Sequence, residues 1–315
     1  MTSTLKPYLT FDQQLAKLKA KGLVIANDQT AIACLNRLGY YRLAGYFYPL
    51  RATNPRGIPG RQNYFQAGAN FDLVVDLYKF DKKLRLLMID AAERIEVALR
   101  VAIAYRLGKL DCEAHMNPRL LDARFVKPSK DGTSLHDKWC SRMEKAIKES
   151  HDDFVQHHED KYGGKMPIWV AIELWDFGTL SRFYAGMQFR DKEAIAHQFG
   201  HIKSDHLQSW LRTLNFVRNV AAHHSRLWNR NVPEIPKFPT QASHPLLGHV
   251  HQHKGVEHRL YGALVCTAYL LRSIDLDRDW LRSLKAHVAT FPNSPLINLA
   301  SAGFPPDWEN EALWH

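Results

Sequence analysis

The run Arg218-Asn219-Val220-Ala221-Ala222-His223-His224-Ser225-Arg226-Leu227-Trp228-Asn229-Arg230 holds three arginines, two histidines and no acid. A solvated helix face usually mixes Glu with Lys so that charges pair at i,i+4. A run of cations alone suits an anion instead, and the planar arginine fork fits phosphate. Set on a helix at about 100° per residue, Trp210, Leu214, Val217, Ala221, His224 and Trp228 fall on one apolar stripe. Asn219, His223, Arg226 and Arg230 fall opposite, with Arg218 at the margin. His224 is therefore expected against the core, satisfied there or supporting the site from behind. His223 is expected in the open, beside an amide and guanidinium groups.

Cations around an imidazole favour its neutral form, which can take a proton as general base. An arginine beside it can stabilise the charge on a pentacoordinate phosphorane. With no carboxylate cluster at hand, such a set suits metal-independent cleavage of RNA, whose own 2′-OH supplies the nucleophile that DNA lacks.

Other residues offer competing chemistry. Residues 40–51 interleave Tyr40, Tyr41, Tyr46, Phe47 and Tyr48 with Arg42 and Arg51, a composition that can stack unpaired bases and hold phosphates. At helical spacing, however, Tyr40, Leu43, Phe47 and Leu50 make a core stripe, which leaves Arg42 as the better candidate for RNA contact. Glu93 and Glu96 can orient His223 or a neighbouring arginine, or pair structurally with Arg94 or Arg100. His249, His251 and His253 alternate, with His244 and His258 nearby. Alternating histidines can chelate a metal and would support a metal-dependent phosphohydrolase, but no carboxylate or cysteine joins them at ligand spacing, so an exposed His-rich loop without metal is expected. Neither GxxxxGK[ST] nor GxGxxG nor GxSxG occurs, so no nucleotide or redox cofactor is expected.

These residues need a scaffold, and its outline is helical. The 315 residues carry 42 Lys+Arg against 32 Asp+Glu, a formal net charge of +10, with 45% hydrophobic residues. That is a globular composition rather than a disordered one. The excess is concentrated: residues 29–71 contain Arg37, Arg42, Arg51, Arg56 and Arg61 and no acid, and residues 201–260 form a second basic island. Two such islands on a neutral body suggest an anionic partner, most commonly nucleic acid. The four cysteines form no CxxC pair, the N-terminal residues lack a signal-peptide pattern, and the apolar stretch Leu260 to Leu271 is too short to span a bilayer. A cytoplasmic protein with no membrane attachment is expected.

Periodicity predicts helices over Phe11–Lys21, Asp28–Leu38, Phe71–Leu107, Leu135–Tyr162, from Pro167 to about Gly178 with Thr179–Met187 continuing, Asp205–His224 and Glu257–Ser273. The longest carries a stripe of Val74, Leu77, Leu84, Leu87, Ala91, Ile95, Ala98, Ala102 and Tyr105, with Asn70 as N-cap. The stretch after Leu50 to Gly68 and residues 109–134 read as irregular, and residues 231–255 as a Pro- and His-rich connection. The expected fold is all-α.

Four stretches resemble, in the same order, the Abi family of bacterial abortive-infection proteins (the AbiD/AbiF group): LGYYRLAGYFYPLR at 38–51, FDLVVDLYKFDKKLRLLMIDAAERIEVALR at 71–100, PIWVAIELWDFGTLSRFY at 167–184 and RNVAAHHSRLWNR at 218–230. Arg218-Asn219-x-x-x-His223 is similar to the R-[polar]-x3-H signature of HEPN-domain ribonucleases. The chain departs from the family pattern at Ala221, where a cysteine is usual. The resemblance implies a HEPN-like helical bundle with an N-terminal helical extension and a long irregular insertion. It divides the chain as a basic, aromatic-rich region at 1–70, a HEPN-like core at 71–285 and a C-terminal tail at 286–315, acting as one unit. It further implies an RNA-binding endoribonuclease of phage defence, with Arg218, Asn219 and His223 catalytic and Arg226, Arg230 and Arg42 holding RNA. His224, Glu93 and Glu96 would support them. HEPN ribonucleases dimerise so that two motifs form one cleft without metal. Members also resemble toxins paired with a small structured RNA, so the alternative is a non-catalytic RNA-binding protein in a ribonucleoprotein.

Overall fold

The structure, a computed structural model, describes residues 5–56, 58–274 and 278–315. The chain runs through α1 (Phe11–Ala20), α2 (Asp28–Leu38), α3 (Tyr40–Phe47), a hairpin of β1 (Arg51–Thr53) and β2 (Arg61–Phe65), and α4 (Phe71–Gly108). It continues through α5 (Ala123–Val126), α6 (Leu135–Glu149), α7 (Asp153–Tyr162), α8 (Ile168–Ala171), α9 (Phe177–Gly186) and α10 (Phe189–Gln198). It ends with α11 (Ser204–Ala222), α12 (Leu260–Ile274) and α13 (Asp279–Val288). The fold is all-α, as the periodicity predicts. No helix among the described residues is long and apolar enough to cross a membrane.

The 38-residue α4 is the axle, about 57 Å long at 1.5 Å per residue. The Asn70 side chain caps it by accepting the Leu73 amide at 2.8 Å, and α3, α8, α9, α10, α11, α12 and α13 pack around it. Val74, Leu77, Leu84, Ala91, Ile95 and Ala102 are buried, whereas Tyr105 is 83% exposed. The buried row passes through Leu99, Ile103 and Leu107, and a step of three from Ala102 falls short of it.

Other elements depart from the sequence reading for local reasons. The segment from Leu135 to Tyr162 is two helices, because Ser150 Oγ donates to Asp152 Oδ2 (2.7 Å) and accepts the Asp152 amide (3.1 Å), a turn that interrupts the helix. The break after Pro167 lies at Trp175–Asp176 rather than Gly178, because Asp176 caps α9 by accepting the Thr179 amide at 2.6 Å. The stretch before Gly68 contains the β1–β2 hairpin, whose half-exposed strands show no apolar alternation in sequence.

The C-terminal residues pack into the core. Trp280 Nε1 of α13 donates to the Leu87 carbonyl (2.7 Å), and His287 stacks on Phe80 with ring centroids 4.4 Å apart. Ile297, Phe304, Trp308, Leu313 and Trp314 are buried, in the same core cluster that begins at Leu15.

Candidate functional site

Helix α11 sets the site, and it ends earlier than the periodicity suggests. His223 is its C-cap, and His224 adopts φ +55°, the left-handed conformation. The His224 amide donates to the Ala221 carbonyl (3.0 Å) and the Ser225 amide to the Val220 carbonyl (3.0 Å). This paired closure of a helix C-terminus turns the chain away from the axis. Helical projection therefore fails beyond Ala222. His224 is exposed rather than set against the core, and Trp228 is buried by the returning chain rather than by a helical stripe.

What holds that returning chain is a buried carboxylate. Asp81 of α4 has no exposed surface and accepts from Tyr46 Oη (2.6 Å), from Arg85 Nη1, and from the amides of Leu227 (3.1 Å) and Trp228 (2.7 Å). Burial pushes its carboxyl above the usual range, while Arg85, Tyr46 and the two amides pull it back toward the charged form. Helix α3 clasps the same segment from outside. Arg42 Nη1 donates to the His224 carbonyl (2.7 Å), and Arg226 Nη1 donates to the Gly45 carbonyl.

His223 stands where two open cavities meet. One, of about 460 Å³, lies between α9 and α11 and is lined by Arg182, Arg212, Asn215, Asn219, His223 and Arg230, with Glu234 the one carboxylate in its lining. Burial and the nearby Arg142 lower the Arg182 pKa, opposed by Asp176. The other, of about 470 Å³, has no carboxylate and is lined by Tyr41, Arg42, His223, His224, Arg226 and Arg230. The first basic island thus reaches the second through Arg42.

Arg218 is half-buried and donates from Nη1 to Asn219 Oδ1 at 3.1 Å. Its charge favours the ionised forms of Glu96 and Asp176. Glu96 pairs with Arg100 at 2.5 Å, and burial raises its pKa against the pull of Arg100 and Arg218. Glu93 is exposed, and among the described residues no hydrogen bond or ion pair joins Glu93 or Glu96 to His223. In α3, Leu43 and Phe47 are core, as is Leu50 in the turn that follows, while Tyr41 is 93% exposed. The loop histidines go separate ways: His249 Nε2 meets Tyr261 Oη at 3.1 Å, and His251 Nε2 meets the Pro239 carbonyl at 2.7 Å. Among the described residues no three His, Cys, Asp or Glu side chains are grouped to hold a metal ion.

Sequence reasoning missed Asp81, Arg182 and Arg212. Asp81 had a signal: it lies between Leu77 and Leu84 on the buried stripe, with Arg85 one turn on. A carboxylate and a guanidinium at core positions demand partners. Arg212 had one too: seven and eleven residues before Asn219 and His223, it shares their face of α11. Arg182 had none, since only the packing of α9 on α11 brings it to His223.

No curated protein and no solved structure matches the chain. The family model described as Abi-like protein matches residues 33–229, from within α2 to the turn after α11, taking in α4, Asp81 and His223. With more than half of its length in that match, the chain belongs to the Abi-like protein family.

Proposed function

We propose that the protein is an RNA-binding, metal-independent endoribonuclease acting in the bacterial cytoplasm in abortive infection. The observation that carries this reading is the position of His223 between two arginine-lined cavities that share Arg230. An imidazole there can remove the proton from a ribose 2′-OH while guanidinium groups hold the adjacent phosphate. The 2′-oxygen attacks phosphorus, the bond to the 5′-oxygen breaks, and that oxygen leaves with a proton. The products are a 2′,3′-cyclic phosphate and a 5′-hydroxyl end. Arg218 acts with His223 by stabilising charge on the phosphate, Asn219 supports them, and Arg42, Arg226 and Arg230 hold the strand. Two copies facing each other across α11 would bring a second Arg218 to the cleft.

The test is cleavage of RNA by the purified protein in EDTA, with product ends mapped. His223→Ala is expected to lose cleavage by about 100-fold or more while melting like wild type, because the side chain is exposed. Cleavage by the variant at the wild-type rate overturns the assignment.

One observation favours a second reading. Arg218 lines neither of the two cavities at His223, and its Nη1 donates instead to Asn219 Oδ1. A protein that holds a cognate small structured RNA without cutting it would need only the arginine-lined surface. RNA that co-purifies intact with wild type and stays intact in EDTA and in Mg²⁺ would support it.

A further inference from the structure

A third cavity adjoins the two at His223. It has a volume of about 710 Å³, and Arg61, Arg226, Arg230 and Arg259 line it together with Asn229 and Asn231. No carboxylate lines it, and among the described residues none of its four arginines is in an ion pair. Their internal bonds leave most donors unused. Arg61 Nη1 donates to the Arg51 carbonyl (2.6 Å), Arg226 Nη1 to the Gly45 carbonyl, and Arg230 lies 5.9 Å from the Phe216 ring centroid. Arg259, Asn229 and Asn231 have no side-chain hydrogen bond among the described residues, and Asn229 Oδ1 is buried without a partner.

Four guanidinium groups around one hollow repel one another, so the fold holds them together against their own charge. Each guanidinium carries five donors in a planar fork matched to phosphate. The amide of Asn229 has no internal bond to lose on turning to a ribose hydroxyl. The cavity gathers residues far apart in sequence: Arg61 from the first basic island, Arg226, Arg230 and Arg259 from the second. Arg230 lines all three cavities.

We propose that this cavity is a second phosphate-binding site, separate from His223, that takes a backbone phosphate of single-stranded RNA continuing past Arg230. The proposal rests on the RNA reading of the His223 site. It makes the substrate an unpaired strand long enough to reach both places, with Arg61 and Arg259 setting affinity and taking no part in cleavage.

Fluorescence anisotropy of a labelled 12-nucleotide single-stranded RNA with the full chain tests it. Arg61→Gln/Arg259→Gln is expected to weaken binding about 10-fold or more, and to make the slope of log affinity against log salt shallower by about 0.7 for each phosphate no longer neutralised. Asn231→Glu, at an exposed position, should weaken binding similarly without removing any internal bond, which guards against misfolding of the double variant. A dinucleoside monophosphate, with a single phosphate, should be cleaved at the wild-type rate by both variants. If wild type binds the 12-mer and both variants bind it equally well, the second site is refuted while the His223 reading stands. If wild type binds no RNA, both fall together. If ATP saturates the cavity in wild type but not in the double variant, without displacing RNA, the phosphate belongs to a free nucleotide and the RNA strand is excluded from this site.

Discussion

Asp81 decides where the residues after His223 go. Four donors converge on its carboxylate, two of them the amides of Leu227 and Trp228, and all sit in an interior where an unpaired charge is expensive. Asp81→Ala would leave Arg85 as a buried uncompensated cation and two amides without acceptors. The expected loss is about 3–5 kcal/mol, measured by urea unfolding, and Asp81→Asn should lose less because the amide oxygen still accepts. An alanine variant within about 1 kcal/mol of wild type would show that water or repacking replaces the carboxylate. At this scale the sequence was half legible. The cationic, acid-poor character of residues 218–230 and the exposure of His223 could be read directly. The partners of those residues could not, because Asp81, Arg42 and Arg182 reach them only through the packing of α3, α4 and α9.

Helices with long, regular stripes were legible almost to the residue: α2 spans Asp28–Leu38 and α4 starts behind Asn70. Ends set by a local turn were not. A turn such as Ser150–Asp152, or the left-handed His224, replaces helical bonds without changing hydropathy, so the periodic pattern runs on where the backbone does not. His224 carries the clearest consequence. A non-glycine residue in that region costs about 1–2 kcal/mol, and the closure it completes needs no side chain. His224→Gly is therefore expected to stabilise the protein by about 0.5–1 kcal/mol, because relief of strain outweighs the added freedom of the unfolded chain. His224→Val, branched at Cβ, should destabilise it by more than that. Unfolding of both variants on one denaturant scale gives the order, and a valine variant as stable as the glycine one would mean the turn is not held in this form.

At the scale of the whole molecule, the charge excess and the histidine content act in different places. The two basic islands meet on one surface, which sequence separation hid. Several histidines are in the interior: His115 beside Trp139 and Trp175, His249 on Tyr261, and His287 on Phe80. Burial lowers the pKa of each, and for His115, with His136 nearby adding to the effect, to about 4. The unfolded chain takes up these protons near pH 6.5, whereas the folded protein refuses them. The stability that the neutral forms provide is thus complete above about pH 6.5 and is lost as pH falls toward about 4, where for His115 the loss levels off. At pH 5 His115 alone should lower stability by about 2 kcal/mol relative to pH 7.5. Replacing it by phenylalanine, which fits the aromatic surroundings and cannot titrate, should shrink the drop between those two pH values by that amount, whatever the change in absolute stability. The burial of Glu96 raises its pKa and works in the opposite sense over part of this range, so the comparison must be between variant and wild type at each pH rather than within one curve. If the two proteins lose the same stability on acidification, His115 takes up its proton in the folded state, and its surroundings must admit water.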